Sequence, residues 1–224
     1  MILAAHQPQF MPWLGYLDKM RHCDVFVILD DVQFKKNEWQ NRNRIWSKTG
    51  PQWLTVPVLH KFPQNIDDVE INNLVNWREV HFKTIRQNYS GSAFWDVNKK
   101  EIEKFYSVKW TKLIDVNMES IIFLNKKLGI NPDFRMSSEL GAEGKSTERL
   151  VNICKKLGAD TYLAGAGGKE YMDLPLFDKA GIKVVFQEYA HPRYAQPEGG
   201  FVPNLSALDI LLNHGANAAG IFKV

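Results

Sequence analysis

The sequence predicts an α/β fold: an open, mostly parallel sheet of about five strands flanked by helices, with a largely helical section inserted at about residues 75–145. Three observations predict it. Strand-length apolar runs ("ILAA", "VFVILDD", "QWLTVPV", "DTYLAG", "IKVVFQEY") alternate with segments whose apolar residues recur at helical spacing. The run "DVFVILDDV" is apolar without alternation, as expected of a strand buried on both faces of a parallel sheet. The residues least suited to ordinary turns fall directly behind several of these runs, at the strand ends where open α/β sheets collect ligands.

Each element follows in order. "ILAA" is a short buried strand, because Pro8 forbids a long helix there. From Pro12 onward Trp13, Leu14, Leu17 and Met20 recur at helical spacing, and a proline suits the first helical turn. "DVFVILDDV" gives the second strand, and "QWLTVPV" a third that Pro57 cuts short. Residues 77–129 read as mostly helical, broken near Gly91 and Ser92 and stopped by Gly129. "KSTERLVNICKKLGA" is a helix with Ser146 or Thr147 as its cap and Gly158 as its stop. "DTYLAG" and "IKVVFQEY" are strands around a turn and a broken helix, and "FVPNLSALDILLNHG" is a capped helix ending at Gly215. The reading is one α/β domain over residues 1–224.

Composition narrows the class. With 45% hydrophobic and 24% charged residues the chain has ample material for a core. A net charge of +3 is too mild to argue for nucleic acid, although it suits an anionic small molecule. Cys23 and Cys154 are too few and too far apart for a disulfide framework, so both are expected to be buried free thiols in a reducing compartment. "MILAAHQP" lacks the basic region of a signal peptide, and no run reaches the length of a membrane span. A soluble, cytoplasmic protein is expected, with neither DNA nor a membrane as partner.

Three groups of residues carry chemistry. "DDVQFKKNEWQNRNR" sets long, two-pronged side chains around Phe34 and Trp39, where a plain surface loop would use Gly, Ser and Pro. Lys36, Gln40, Asn41, Arg42 and Arg44 suit planar, anionic or multi-hydroxyl ligands because their donors come in fixed arrays. Asp30 and Asp31 close the second strand, and alternation sends one to each face. Metal ligation, orientation of His6 and capping of the next turn all suit them. His6 and Gln7 end the first strand, where an imidazole can move protons near neutral pH. The turn "LAGAGGKEY" places Gly165 where backbone amides can meet an anion, without Rossmann or P-loop spacing. "YAHPRYAQ" adds His191, Tyr194 and Gln196 behind the last strand, so that His191 and His6 could rim one pocket. The histidines show no zinc-ligand spacing, so no metal site is assigned to them, and a Ser–His–Asp arrangement lacks its nucleophile elbow; a metal at Asp30 and Asp31 stays open.

These residues also carry a resemblance. "HQPQFMPWLGYLDKM", "DVFVILDDVQFKKNEWQNRNRI", "WLTVPV", "GADTYLAGAGGKEYMD", "HPRYAQ" and "FVPNLSALDILLNHG" resemble the WbqC-like family over the whole chain. The resemblance implies a bacterial, cytoplasmic role in O-antigen or related surface-polysaccharide synthesis, alongside enzymes that make unusual amino sugars. It does not imply a reaction. A weaker resemblance links "QPQFMPWLGY" to the superfamily of nucleotidyltransferases and pantothenate synthetase. Gly15 is kept, but Trp13 and Tyr16 replace the two signature histidines that hold ATP phosphates.

The expectation that joins these observations is a transferase forming an amide bond on an amino sugar, nucleotide-linked, from an activated acyl or aminoacyl donor. His6 or Asp31 takes the proton of the amine, and Gln40, Asn41 or backbone amides face the oxyanion. Arg42, Arg44 and Lys36 hold a diphosphate or carboxylate, and Gln7, Asp30, Gly165, His191, Tyr194 and Gln196 contact substrate. No cofactor is assigned, ATP stays open, and charged tRNA is one donor consistent with the chemistry. The rival readings are a non-catalytic nucleotide-sugar-binding module and an ATP-using nucleotidyltransferase-like enzyme.

Overall fold

The computed structural model describes residues 1–197 and 200–222. Along the chain run β1 (Ile2–His6), α1 (Leu14–Arg21), β2 (Val25–Ile28), β3 (Arg42–Ile45), β4 (Gln52–Thr55), β5 (Val58–Leu59) and β6 (Glu70–Ile71). Then come α2 (Trp77–Tyr89), α3 (Trp95–Ser107), α4 (Leu113–Leu128), β7 (Asp133–Met136), α5 (Ser137–Leu140) and α6 (Ser146–Leu157). The rest are β8 (Thr161–Ala164), α7 (Leu174–Lys179), β9 (Lys183–Phe186), α8 (Leu208–His214) and α9 (Ala218–Phe222). The chain divides into two compact units, Met1–Pro8 with Tyr16–Val32 and Ile130–Ala190, and Gln9–Gly15 with Gln33–Gly129 and His191–Val224.

The first unit is the α/β layer. Its five-stranded sheet has the order β7-β2-β1-β8-β9, and all four pairings are parallel. β2 is buried throughout, as its unbroken apolar run requires. On one face Leu3, Ala5, Val27 and Tyr162 meet Val151 and Cys154 of α6 and Phe177 of α7. Each large aliphatic side chain buried there stabilises the fold by about 1.5–3 kcal/mol. Tyr162 stacks on Phe177 at 5.2 Å between ring centroids. On the other face Tyr16 meets Phe26 edge-on at 5.6 Å.

One strand assignment is corrected. "QWLTVPV" is not in the parallel sheet: its β4 pairs antiparallel with β3, in a hairpin of the second unit. The fifth sheet strand is β7, "DFRM", a four-residue edge strand with half its positions exposed. Its two apolar residues are too few to show a period.

The second unit carries α2, α3, α4, α8, α9 and the hairpins β3–β4 and β5–β6. Gly129 and Gly158 end α4 and α6 (the latter in the first unit) in the left-handed conformation that glycine adopts most readily. Near its start, the indole of Trp13 lies flat on Gly15, where a Cβ would fall 2.1 Å from the ring. No described helix is long and apolar enough to cross a membrane.

Candidate functional site

A cavity of about 350 Å³ opens in the first unit at the carboxyl ends of β1 and β8, lined by His6, Gln7, Lys19, Tyr162, Gly165, Gly167 and Tyr171, among others. Sequence reasoning brings His6, Gln7 and Gly165 to this edge, and the structure brings them together. A Cβ at Gly165 or Gly167 would meet nothing within 4 Å, so these glycines keep a wall of backbone rather than relieve a clash.

His6 ends β1 because the chain turns at Pro8. Its Nδ1–H donates to the Gln7 carbonyl oxygen at 3.0 Å, and the Tyr16 hydroxyl donates to the same oxygen at 3.1 Å. The Tyr16 ring also braces the imidazole edge-on at 5.1 Å. Since a carbonyl only accepts, this bond puts the proton of a neutral imidazole on Nδ1 and the lone pair on Nε2. Burial, helped by the positive charge of Lys19, lowers the His6 pKa to about 4. The ring is therefore neutral at pH 7. A neutral imidazole with an open Nε2 accepts a proton or a hydrogen bond.

Lys19 is the residue that sequence reasoning missed. It is only 4% exposed, and its ammonium donates to the Ala5 carbonyl at 2.9 Å. Nζ also lies 5.9 Å from the centroid of the Tyr162 ring. Burial lowers its pKa to about 8, so it is mostly a cation at pH 7. No carboxylate pairs with it among the described residues. Neighbouring Asp18 is engaged by Arg21 at 3.0 Å and Gln187 at 2.7 Å. The signal available was weak: both Asp18 and Lys19 occupy buried positions of α1, a helix whose apolar stripe alone would have left them outside.

Asp30 and Asp31 lie beyond the end of β2, and the expectation that they diverge to opposite faces is corrected. The chain has left the pleat at Ile28, and both carboxylates lie against the Ser137 hydroxyl, whose single proton they share. Asp30 also accepts from the Ser138 backbone N–H at 3.0 Å and its hydroxyl at 2.6 Å. Asp31 takes an ion pair from Arg149. The two acids thus latch the exit of β2 onto α5 and α6.

In the second unit the polar cluster divides by strand alternation. Asn43 and Ile45 of β3 are buried, while Arg42 and Arg44 sit half-buried on the opposite side. The amides serve the fold. The Gln40 side chain accepts from the Lys35 N–H at 2.9 Å, and Asn41 donates to the Val56 carbonyl at 3.0 Å. Asn43 donates to the Met11 carbonyl at 2.8 Å. Lys36 is exposed on the loop before β3. The Arg42 guanidinium lies 4.1 Å from the centroid of the Trp53 ring, and that of Arg44 lies 5.6 Å from Trp53 and 5.8 Å from Trp39.

His191, Tyr194 and Gln196 also lie in the second unit. His191 donates from Nδ1 to its neighbour's carbonyl at 2.9 Å and stacks on Tyr194, and burial lowers its pKa. Gln196 clamps Val202 and the buried Asp209, to which Tyr89 also donates at 2.7 Å. Cys154 is buried as expected, whereas Cys23 is only partly so. Among the described residues no group of three or more His, Cys, Asp or Glu is arranged to hold a metal ion.

The comparisons with known proteins agree on one family. The model of the WbqC-like protein family matches residues 7–221. "Uncharacterized protein Rv1507c" of Mycobacterium tuberculosis (strain ATCC 25618 / H37Rv) is 35% identical over 220 residues, covering 96% of this chain and 95% of its own. No solved structure matches the chain significantly. The chain belongs to the WbqC-like protein family.

Proposed function

We propose that this protein is a transferase that forms an amide bond on an amino sugar, using an activated acyl or aminoacyl donor, in bacterial surface-polysaccharide synthesis. The observation that carries the chemistry is the pair in the first unit's cavity: a neutral His6 with Nε2 open, beside the buried cation Lys19. The sugar amine attacks the acyl carbon, the new C–N bond forms, and the amine proton passes to His6 Nε2. The tetrahedral oxyanion, or a carboxylate of the substrate, is held by the Lys19 ammonium. Collapse breaks the bond to the leaving group, which receives the proton from His6. The Lys19 ammonium takes the oxyanion role expected of Gln40, Asn41 or backbone amides, since the Gln40 and Asn41 side chains bond the Lys35 N–H and the Val56 carbonyl. The amino-sugar substrate and the nucleotide carrier are supported by the family's likeness to proteins of polysaccharide clusters.

The test is to incubate the protein with nucleotide-linked amino sugars and a panel of acyl thioesters, acids with ATP, or charged tRNA, and to follow product mass. An acyl-sized mass gain is expected, reduced at least about 100-fold by His6→Ala. Release of pyrophosphate without acylated product, or turnover indifferent to His6→Ala, would contradict the reading.

A further inference from the structure

We propose that the β3–β4 hairpin is a second binding site, a platform for a nucleoside diphosphate whose phosphates meet Arg42 and Arg44 and whose base stacks on Trp39 and Trp53. The argument stands on the second unit alone and does not rest on the amide-forming reading. Arg42 and Arg44 are two positions apart on β3, so their side chains share one side of the hairpin, about 7 Å apart along the strand. Register sets Trp53 of β4 opposite Arg44, and the Trp39 ring lies 5.6 Å from that of Trp53. Two guanidiniums and two indoles thus make one surface.

Among the described residues neither guanidinium has an acid or a hydrogen-bond acceptor, and both Nε atoms are buried without a partner. Stacking on indole engages the flat face of a guanidinium and leaves its in-plane N–H donors unspent. Two such forks fixed side by side match adjacent phosphates, each able to accept bidentate bonds. Lys35 and Lys36 are exposed on the loop that leads into β3, and Glu38 is the one acid between Lys35 and Arg44. The rings supply what a bare anion would not use: Trp53 is 41% exposed, and Trp39 is half-buried beside it. A base can stack on such a surface without sequence-specific contacts.

The platform is built in advance. Asn37 takes a left-handed conformation with φ 63°, and its N–H donates to the Asn41 side chain at 2.9 Å. Asn117 of α4 donates to the Gln40 carbonyl at 2.8 Å. Buried amides therefore fix the loop and strand while the arginines face outward, which lowers the ordering cost of binding.

The experiment is calorimetric titration of the full chain with UDP, ADP and inorganic pyrophosphate, with tryptophan emission followed in parallel. Saturable nucleotide binding with a change in emission is expected, with pyrophosphate weaker by about tenfold. Arg42→Ala and Arg44→Ala should each weaken nucleotide binding about tenfold or more, and Trp53→Ala by a similar factor. Arg42→Lys and Arg44→Lys keep charge and fold, lose the planar fork, and should weaken binding too. Absence of nucleotide binding, binding unchanged in these variants, pyrophosphate binding as tightly as UDP and ADP, or binding of RNA alone would overturn the assignment. Nucleotide binding without acyl transfer leaves this site standing and sinks the reading of the cavity. Acyl transfer by a protein that binds no nucleotide does the reverse.

Discussion

The Nδ1–H of His6 and the hydroxyl of Tyr16 converge on one acceptor, the Gln7 carbonyl, at 3.0 and 3.1 Å. That shared oxygen uses both lone pairs and fixes the imidazole with Nε2 as its acceptor. Nearby, Lys19 adds a positive charge that opposes protonation of the ring. The cavity's chemistry follows from this arrangement.

The pH dependence of turnover has a defined shape. In the proposed reaction His6 acts while neutral, so kcat/KM rises through about pH 4, and Lys19 acts as a cation, so it falls through about pH 8. Lys19→Arg, whose charge persists at every working pH, should move the alkaline limb past about pH 10. A profile centred on an ordinary histidine and unaffected by Lys19→Arg would remove both groups from their roles.

The carboxylate latch separates structure from catalysis. Asp31→Ala leaves the Arg149 guanidinium without its partner, and Asp30→Ala strips the Ser138 backbone N–H and hydroxyl of theirs, leaving Ser137 with Asp31 alone. Each should cost about 1–3 kcal/mol in urea unfolding. Asp31→Asn should lower kcat by far less than the about 100-fold expected for loss of a general base. A loss of that size in a protein that remains folded would restore Asp31 as the base.

Gly15 and Trp13 are coupled through space. Gly15→Ala drives a methyl into the indole and should destabilise by about 1–3 kcal/mol. Combining it with Trp13→Ala should recover part of that cost in a double-mutant cycle, and strict additivity would contradict the contact.

Stability should also fall on mild acidification. His81 is 4% exposed, donates from Nε2 to the Thr55 carbonyl at 3.1 Å, and has a pKa lowered to about 4 by burial. The unfolded chain takes up this proton near pH 6.5 and the folded chain only near 4. Between those values the unfolded state holds more protons, and stability declines as pH drops, by about 3 kcal/mol from this group. His81→Leu should flatten that slope in denaturant titrations at pH 4–7, and an unchanged slope would contradict the assignment.

Much of the fold was legible because its strongest signals are apolar. β1, β2 and β9 announce themselves by Val, Ile and Leu, β8 by the apolar run Tyr162–Ala164, and the helices from 77 to 128 by their spacing. β7 was hidden because an edge strand of four residues needs few apolar positions. β3 was hidden because its inward residues include Asn43, an amide that satisfies backbone rather than an aliphatic that fills a core. The same fact explains the polar cluster: the sequence marks it as unusual but does not separate structural amides from outward arginines. That separation requires the alternation of a strand not recognisable in advance. Lys19 was illegible for another reason, since the burial of a helical lysine depends on which elements cover the helix.

The most direct measurement is a histidine-labelled NMR titration of the folded protein, with His6 assigned by His6→Gln. A midpoint near pH 4 with the proton on Nδ1 throughout the neutral range is expected. A midpoint at or above about 6.5, the value of a solvated imidazole, or a proton on Nε2, would contradict the account.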